Sequence, residues 1–98
     1  MATLYITEFA DSGFLTGPVA VARGPAIAEQ TVAIAAGTAQ STAFQNNTRL
    51  VRLHTDAICS VAFGSNPTAT AAKARMAANQ TEYYQVTPGS KVAVITNT

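Results

Sequence analysis

The sequence predicts an all-β fold: a single small antiparallel β-sandwich or jelly-roll-like barrel of about seven to nine short strands. Two observations predict it. Apolar residues recur with a period close to two, as on a pleated strand, rather than 3.6. Glycine, proline and asparagine break the chain every 8 to 12 residues, as the short strands of a sandwich or barrel require. At 98 residues the chain accommodates one hydrophobic core, so residues 1–98 are read as one β domain without an internal boundary.

The elements follow in chain order. Residues 10–29 carry Gly13, Gly17-Pro18 and Gly24-Pro25 with little alternation. They read as an irregular extended segment or arm holding one short strand at Val19 to Val21. Thr31 to Ala35 alternates around β-branched residues, Ala36-Gly37-Thr38 turns, and Ser41 to Phe44 continues, which is a hairpin signature. Arg49 to Asp56 places Arg52, His54 and Asp56 on one face and Val51 and Leu53 on the other. Asp56-Ala57 reads as the bend into an antiparallel strand, or into the second half of one bent strand. Beyond it Ala57, Cys59, Val61 and Phe63 share a face until Gly64.

Ser65 to Gln80 is ambiguous. Its Ala-rich stretch from Thr70 to Ala78 favours a helical turn or two. Its position between strands favours a loop with one short extended piece around Arg75-Met76. Glu82 to Val86 reads as a strand, Thr87-Pro88-Gly89-Ser90 as a type II turn with Gly89 at positive φ, and Lys91 to Thr96 as a final strand. Ile34, Phe44, Leu53, Val61, Phe63, Tyr84 and Val94 are the expected core.

Charge limits the function classes. Only 11% of residues are Asp, Glu, Lys or Arg, against roughly 25% in an average soluble domain. A surface poor in charge is easier to bury against a neighbour, because few ions need desolvating. The composition therefore points to a subunit packed in an assembly. Net charge is +1, and the six basic residues (Arg23, Arg49, Arg52, Lys73, Arg75, Lys91) are scattered, so no nucleic-acid footprint is expected. The N-terminal residues do not read as a signal peptide, and no apolar run reaches the roughly 20 residues of a membrane helix. The protein is therefore expected to be made in the cytoplasm.

His54-x-Asp56-x-x-Cys59 groups the single histidine, a carboxylate and the single thiol. A nucleophilic pair needs imidazole and thiol within hydrogen-bond reach and an oxyanion site beside them. The alternation instead puts Cys59 toward the core and His54 in an exposed stripe, so no catalytic, metal or cofactor site is assigned. Gly64-Ser65-Asn66-Pro67-Thr68 lacks the Gly-Lys-Ser/Thr ending of a phosphate loop and reads as a turn. Adjacent Tyr83 and Tyr84 face opposite sides of their strand, so one packs inside and the other is a surface anchor. Candidate protein contacts are Phe14, Leu15 and Pro18 in the arm, Lys73 and Arg75 in the loop, and Tyr83.

The segment from Thr48 to Ile95 resembles small head structural proteins of tailed bacteriophages and prophages. The words that carry the resemblance are Val51 to Asp56, Ile58 to Gly64, Asn66 to Thr70, Glu82-Tyr83-Tyr84 and Pro88 to Ile95, with Glu29 to Ile34 upstream. The resemblance implies a virion component without enzymatic activity: a capsid decoration (cement) protein that binds the shell exterior and bridges its subunits. Its implied partners are the major capsid protein and copies of itself, with neither nucleic acid nor membrane involved. Two alternatives stand beside it: a head–tail connector, tail or fibre-base component, and a glycan- or receptor-binding β-module using Tyr83 or Tyr84.

Overall fold

Ten β-strands and no helix make up the described residues of the computed structural model, which are 2–10, 12–14, 20–22 and 26–98. The strands are β1 (Thr3–Phe9), β2 (Ser12–Phe14), β3 (Ala20–Ala22), β4 (Ala28–Ala33), β5 (Ala39–Gln40), β6 (Leu50–Thr55), β7 (Cys59–Gly64), β8 (Ala74–Met76), β9 (Thr81–Gln85) and β10 (Lys91–Thr96). Eight of them form two antiparallel four-stranded sheets, ordered β4-β1-β6-β9 and β5-β10-β7-β8. β2 and β3 pair as a separate antiparallel ribbon.

The sheets pack face to face because each buries one side of its alternation. Leu4, Ile6, Val32, Val51 and Leu53 of the first sheet meet Cys59, Val61, Met76, Val92 and Val94 of the second, with Ile34 and Phe44 between them. Five of the seven expected core residues are buried. Phe63 and Tyr84 pack against the rim of the same cluster, their ring centroids 4.9 Å apart. Two separate sheets, rather than a closed barrel, resolve the alternative that alternation alone leaves open.

Several local expectations are corrected. The segment 31–44 is no hairpin: β4 lies in the first sheet and β5 in the second, so the turn at Gly37 carries the chain across the sandwich. The Asp56-Ala57 bend likewise joins strands of different sheets. Buried Thr55 shapes that corner, since its hydroxyl bonds the Ala57 carbonyl and receives the Ala57 N–H at 3.2 Å. The Ala-rich segment 65–80 contains no helical turn. It is a loop with one short strand, β8, at the extended piece expected around Arg75-Met76. Within 10–29, β2 and the start of β4 add to the one short strand expected there. The expected strand at Val19 to Val21 is β3, shifted to Ala20–Ala22; Val19 lies outside the described residues.

The Pro88-Gly89 turn forms as expected. Gly89 has φ of 83°, and Ser90 N–H donates to the Thr87 carbonyl at 3.2 Å. It delivers the chain from β9 in the first sheet to β10 in the second.

A buried polar clasp closes the end of the sandwich where β5 runs into β6. Glu8 continues the inward-facing series Leu4, Ile6 on β1 and is 1% exposed. Its Oε1 accepts from Gln45 N–H at 3.0 Å and from the Thr48 hydroxyl at 2.8 Å. Its Oε2 accepts from the Gln30 side chain at 3.1 Å, and Gln30 Oε1 in turn accepts from Thr42 N–H at 2.9 Å. The clasp thereby ties β1 and β4 to the connector that crosses between the sheets. Buried charge is tolerable only when its lone pairs are filled in this way.

Candidate functional surface

The two outer faces of the sandwich differ. On the second sheet, Ser60 and Ala93 point away from the core, as their neighbours Val61, Val92 and Val94 point into it, yet both are completely buried. The chain's own loop covers them. Gln40 donates to Asn66 Oδ1 and to the Pro67 carbonyl at 2.9 and 2.8 Å. Ala69 N–H donates to Thr38 Oγ1 at 2.9 Å, and Asn97 donates to Ser60 Oγ and to the Ala71 carbonyl at 2.7 and 3.2 Å. Pro67 and Ala69 are buried beneath this lacing.

Among the described residues, no loop covers the middle rows of the first sheet. Register places Thr31, Tyr5, His54 and Thr81 side by side across the four strands. The next row is Glu29, Thr7, Arg52 and Tyr83. Tyr5 is 44% and Tyr83 55% exposed, and Glu29, Thr31 and Ala33 are exposed around them. A shallow depression of about 260 Å³ lies between β1 and β4, lined in part by Tyr5, Thr7, Glu29 and Thr31. Cross-strand contacts hold the face rigid. The Tyr5 and His54 rings stand 6.3 Å apart at 45°, and His54 Nδ1 shares a hydrogen bond of 2.8 Å with Thr81 Oγ1.

The surface combines two exposed tyrosines and one arginine, the residue types that most often anchor interfaces, with threonines, His54 and a single carboxylate, Glu29, around them. It is also small. Four strands at about 4.8 Å spacing and five residues at about 3.3 Å rise project onto roughly 300 Å². A standard interface buries about 800 Å² on each partner.

The expected contact residues do not form one surface. Tyr83 lies on the open face, with Tyr84 turned inward against Phe63. Arg75 lies on the opposite, outer side of the second sheet, where its Nε donates to the Thr98 carbonyl at 3.2 Å, and Lys73 is exposed in the loop that leads to it. Phe14 belongs to the β2–β3 ribbon, and Leu15 and Pro18 lie outside the described residues. Sequence reasoning missed Tyr5. The signal was its place in Thr3-Leu4-Tyr5-Ile6-Thr7, where Leu4 and Ile6 point inward and Tyr5 therefore outward.

The His54, Asp56 and Cys59 side chains diverge. His54 is on the open face, Asp56 Oδ1 accepts Thr3 N–H at 2.7 Å, and Cys59 is fully buried, donating to Thr55 Oγ1 at 3.6 Å. Among the described residues no three His, Cys, Asp or Glu side chains gather as a metal site would require.

Burial pushes the Cys59 thiol above its ordinary value of 9.0, partly offset by the Thr55 hydrogen bond. Tyr84 is raised above 10.0 by burial first, then by the nearby Glu82 and Cys59 charges. Both groups therefore prefer to stay neutral in the fold. The unfolded chain ionises them at lower pH, so their contribution is intact below about pH 9 and is lost as pH climbs through the raised folded values. Melting temperature should hold steady up to about pH 9 and then fall, less steeply in Cys59→Ala than in the parent. A melting series against pH checks this, and equal slopes in the two proteins would contradict the assignment to Cys59.

Comparison with known protein families, with curated proteins and with solved structures finds no match to this chain.

Proposed function

We propose that this protein is a virion structural subunit of a tailed bacteriophage, a decoration (cement) protein that sits on the capsid exterior and bridges shell subunits. The observation that carries the reading is the one-sidedness of the sandwich. One outer face is covered in part by the protein's own loop, and the other presents Tyr5, Tyr83 and Arg52 among threonines, His54 and Glu29. The low charge content and the head-protein resemblance of Thr48 to Ile95 support the same reading.

The mechanism is additive burial. Each copy contributes one small tyrosine-anchored contact, and a lattice of copies joins neighbouring shell subunits at many points. Weak contacts repeated over a lattice and linked to one another hold far more strongly than any one of them. The added contacts oppose the outward pressure of packaged DNA.

Binding of the purified protein to undecorated shells tests the reading. The double variant Tyr5→Ala/Arg52→Glu, in the middle of the open face, should weaken retention at least about 30-fold, the sum of about 2 kcal/mol from two anchor residues. Lys73→Glu, in the loop over the opposite sheet, should leave retention unchanged. The reverse pattern would put docking on the second sheet and overturn the assignment.

A further inference from the structure

We propose that the protein pairs with a second copy of itself through the free edge of β9, joining two first sheets into one continuous eight-stranded sheet across a two-fold axis at Tyr83. The inference stands independently of the virion reading.

It starts from which backbone groups β9 leaves unused. Val86 N–H donates to the Arg49 carbonyl at 2.9 Å, and Thr55 N–H donates to the Gln80 carbonyl at 3.2 Å. Both pairs fit the register Val51↔Tyr84, Leu53↔Glu82. In an antiparallel ladder the bonded pairs alternate with unbonded ones. Residues 82 and 84 therefore turn both their N–H and C=O groups toward β6, as do the Gln80 carbonyl and the Val86 N–H. Thr81, Tyr83 and Gln85 turn theirs outward, where no strand of the described residues pairs with them.

Those three residues are self-complementary. Placed antiparallel to its own copy with Tyr83 opposite Tyr83, β9 sets Thr81 opposite Gln85 at both ends. All the outward amides then meet in bonded pairs and none is left over. The two exposed Tyr83 side chains come together on the open face, each with Arg52 as its in-register neighbour in the sheet. Glu82, the only charge in the strand, falls opposite Tyr84 of the copy and not opposite its own carboxylate. Like charges facing each other across strands would destabilise the pair, and this register has none.

The other edges are less suited to it. β5 has two residues and β8 three, which is how natural sheets blunt their edges. β4 presents Glu29, Thr31 and Ala33, so no aromatic side chain is buried by pairing there. β9 carries neither Lys nor Pro over five residues. A dimer through it also doubles the small open face, bringing two patches together in one plane.

Sedimentation equilibrium of the purified full chain tests the proposal. The mass should rise with concentration from 10.1 kDa to twice that value and stop there. Tyr83→Pro removes an outward N–H and leaves the β6 ladder whole, a substitution that edge strands tolerate; it should be monomeric throughout. Thr31→Pro, at the equivalent outward position on β4, should dimerise like the parent. Amide exchange of the unmodified protein gives a second readout: Thr81, Tyr83 and Gln85 should exchange at least about tenfold more slowly at high than at low concentration. A parent that stays monomeric, or exchange at these three amides that ignores concentration, would overturn the proposal. So would a dimer lost in Thr31→Pro and kept in Tyr83→Pro.

Discussion

Glu8→Ala should destabilise the fold by about 3–5 kcal/mol, the largest effect expected of any single side chain here. The deleted carboxylate leaves the buried Thr48 hydroxyl without its acceptor and takes one from the part-buried Gln45 N–H and Gln30 amide, the latter keeping the Thr42 carbonyl at 3.4 Å. Domains of this size have about 5–15 kcal/mol in total, so the variant should be partly unfolded at physiological temperature. Glu8→Gln keeps the shape and one acceptor but turns an NH2 group toward donors. It should lose about 1–3 kcal/mol. Urea titrations of the three proteins check the order, and a Glu8→Ala midpoint equal to the parent's would mean that the clasp contributes nothing.

Leu53→Ala should cost about 2–5 kcal/mol by a different route, a cavity. Leu53 is 0% exposed on β6, between Ile6 of β1 and Glu82 of β9 in register, with the second sheet packed over it. The strands on both sides and the facing sheet restrain any collapse into the space. At roughly 4–8 °C per kcal/mol for a chain of this length, the melting temperature should fall by at least about 8 °C. Leu53→Met, close in volume, should cost less than about 1.5 kcal/mol. A Met variant as damaging as the Ala variant would show that shape, rather than lost burial, governs the site.

These two positions also mark what the sequence makes legible. Leu53 is readable because Val51 and Leu53 alternate with Arg52 and His54, so the polar side of β6 identifies the apolar one. Glu8 is not. Thr3 to Thr7 alternates, but Tyr5 and Phe9 on the outward side and a carboxylate on the inward side blur the contrast between the two faces of the full strand. Its burial depends on partners 22, 37 and 40 residues away, which no local pattern announces.

Turn chemistry was a good guide to where the chain bends and a poor one to where it goes next. Gly37, Asp56 and Gly89 each lie at a bend, and each bend transfers the chain to the opposite sheet. Such transfers are set by long-range pairing rather than by turn residues. The Ala-rich stretch from Thr70 to Ala78 shows the same competition, for its intrinsic helix preference yields to tertiary demands. That loop must seal Ser60 and Ala93 and supply β8 to the edge of β7. The open face was half legible: Tyr83 and the Arg52/His54 stripe could be placed on one side of their strands, but the row joining them to Tyr5 exists only once β1 pairs with β6.

A sandwich with one self-sealed face and one tyrosine-bearing face suits a protein that works in many copies against a large partner. Quantitative mass spectrometry of gradient-purified particles from a culture carrying this gene measures that most directly. About one copy for every one to three copies of the major capsid protein is expected, as lattice-wide decoration requires. About a dozen copies per particle would move the protein to the connector or tail, and its absence from the particles would contradict a virion role altogether.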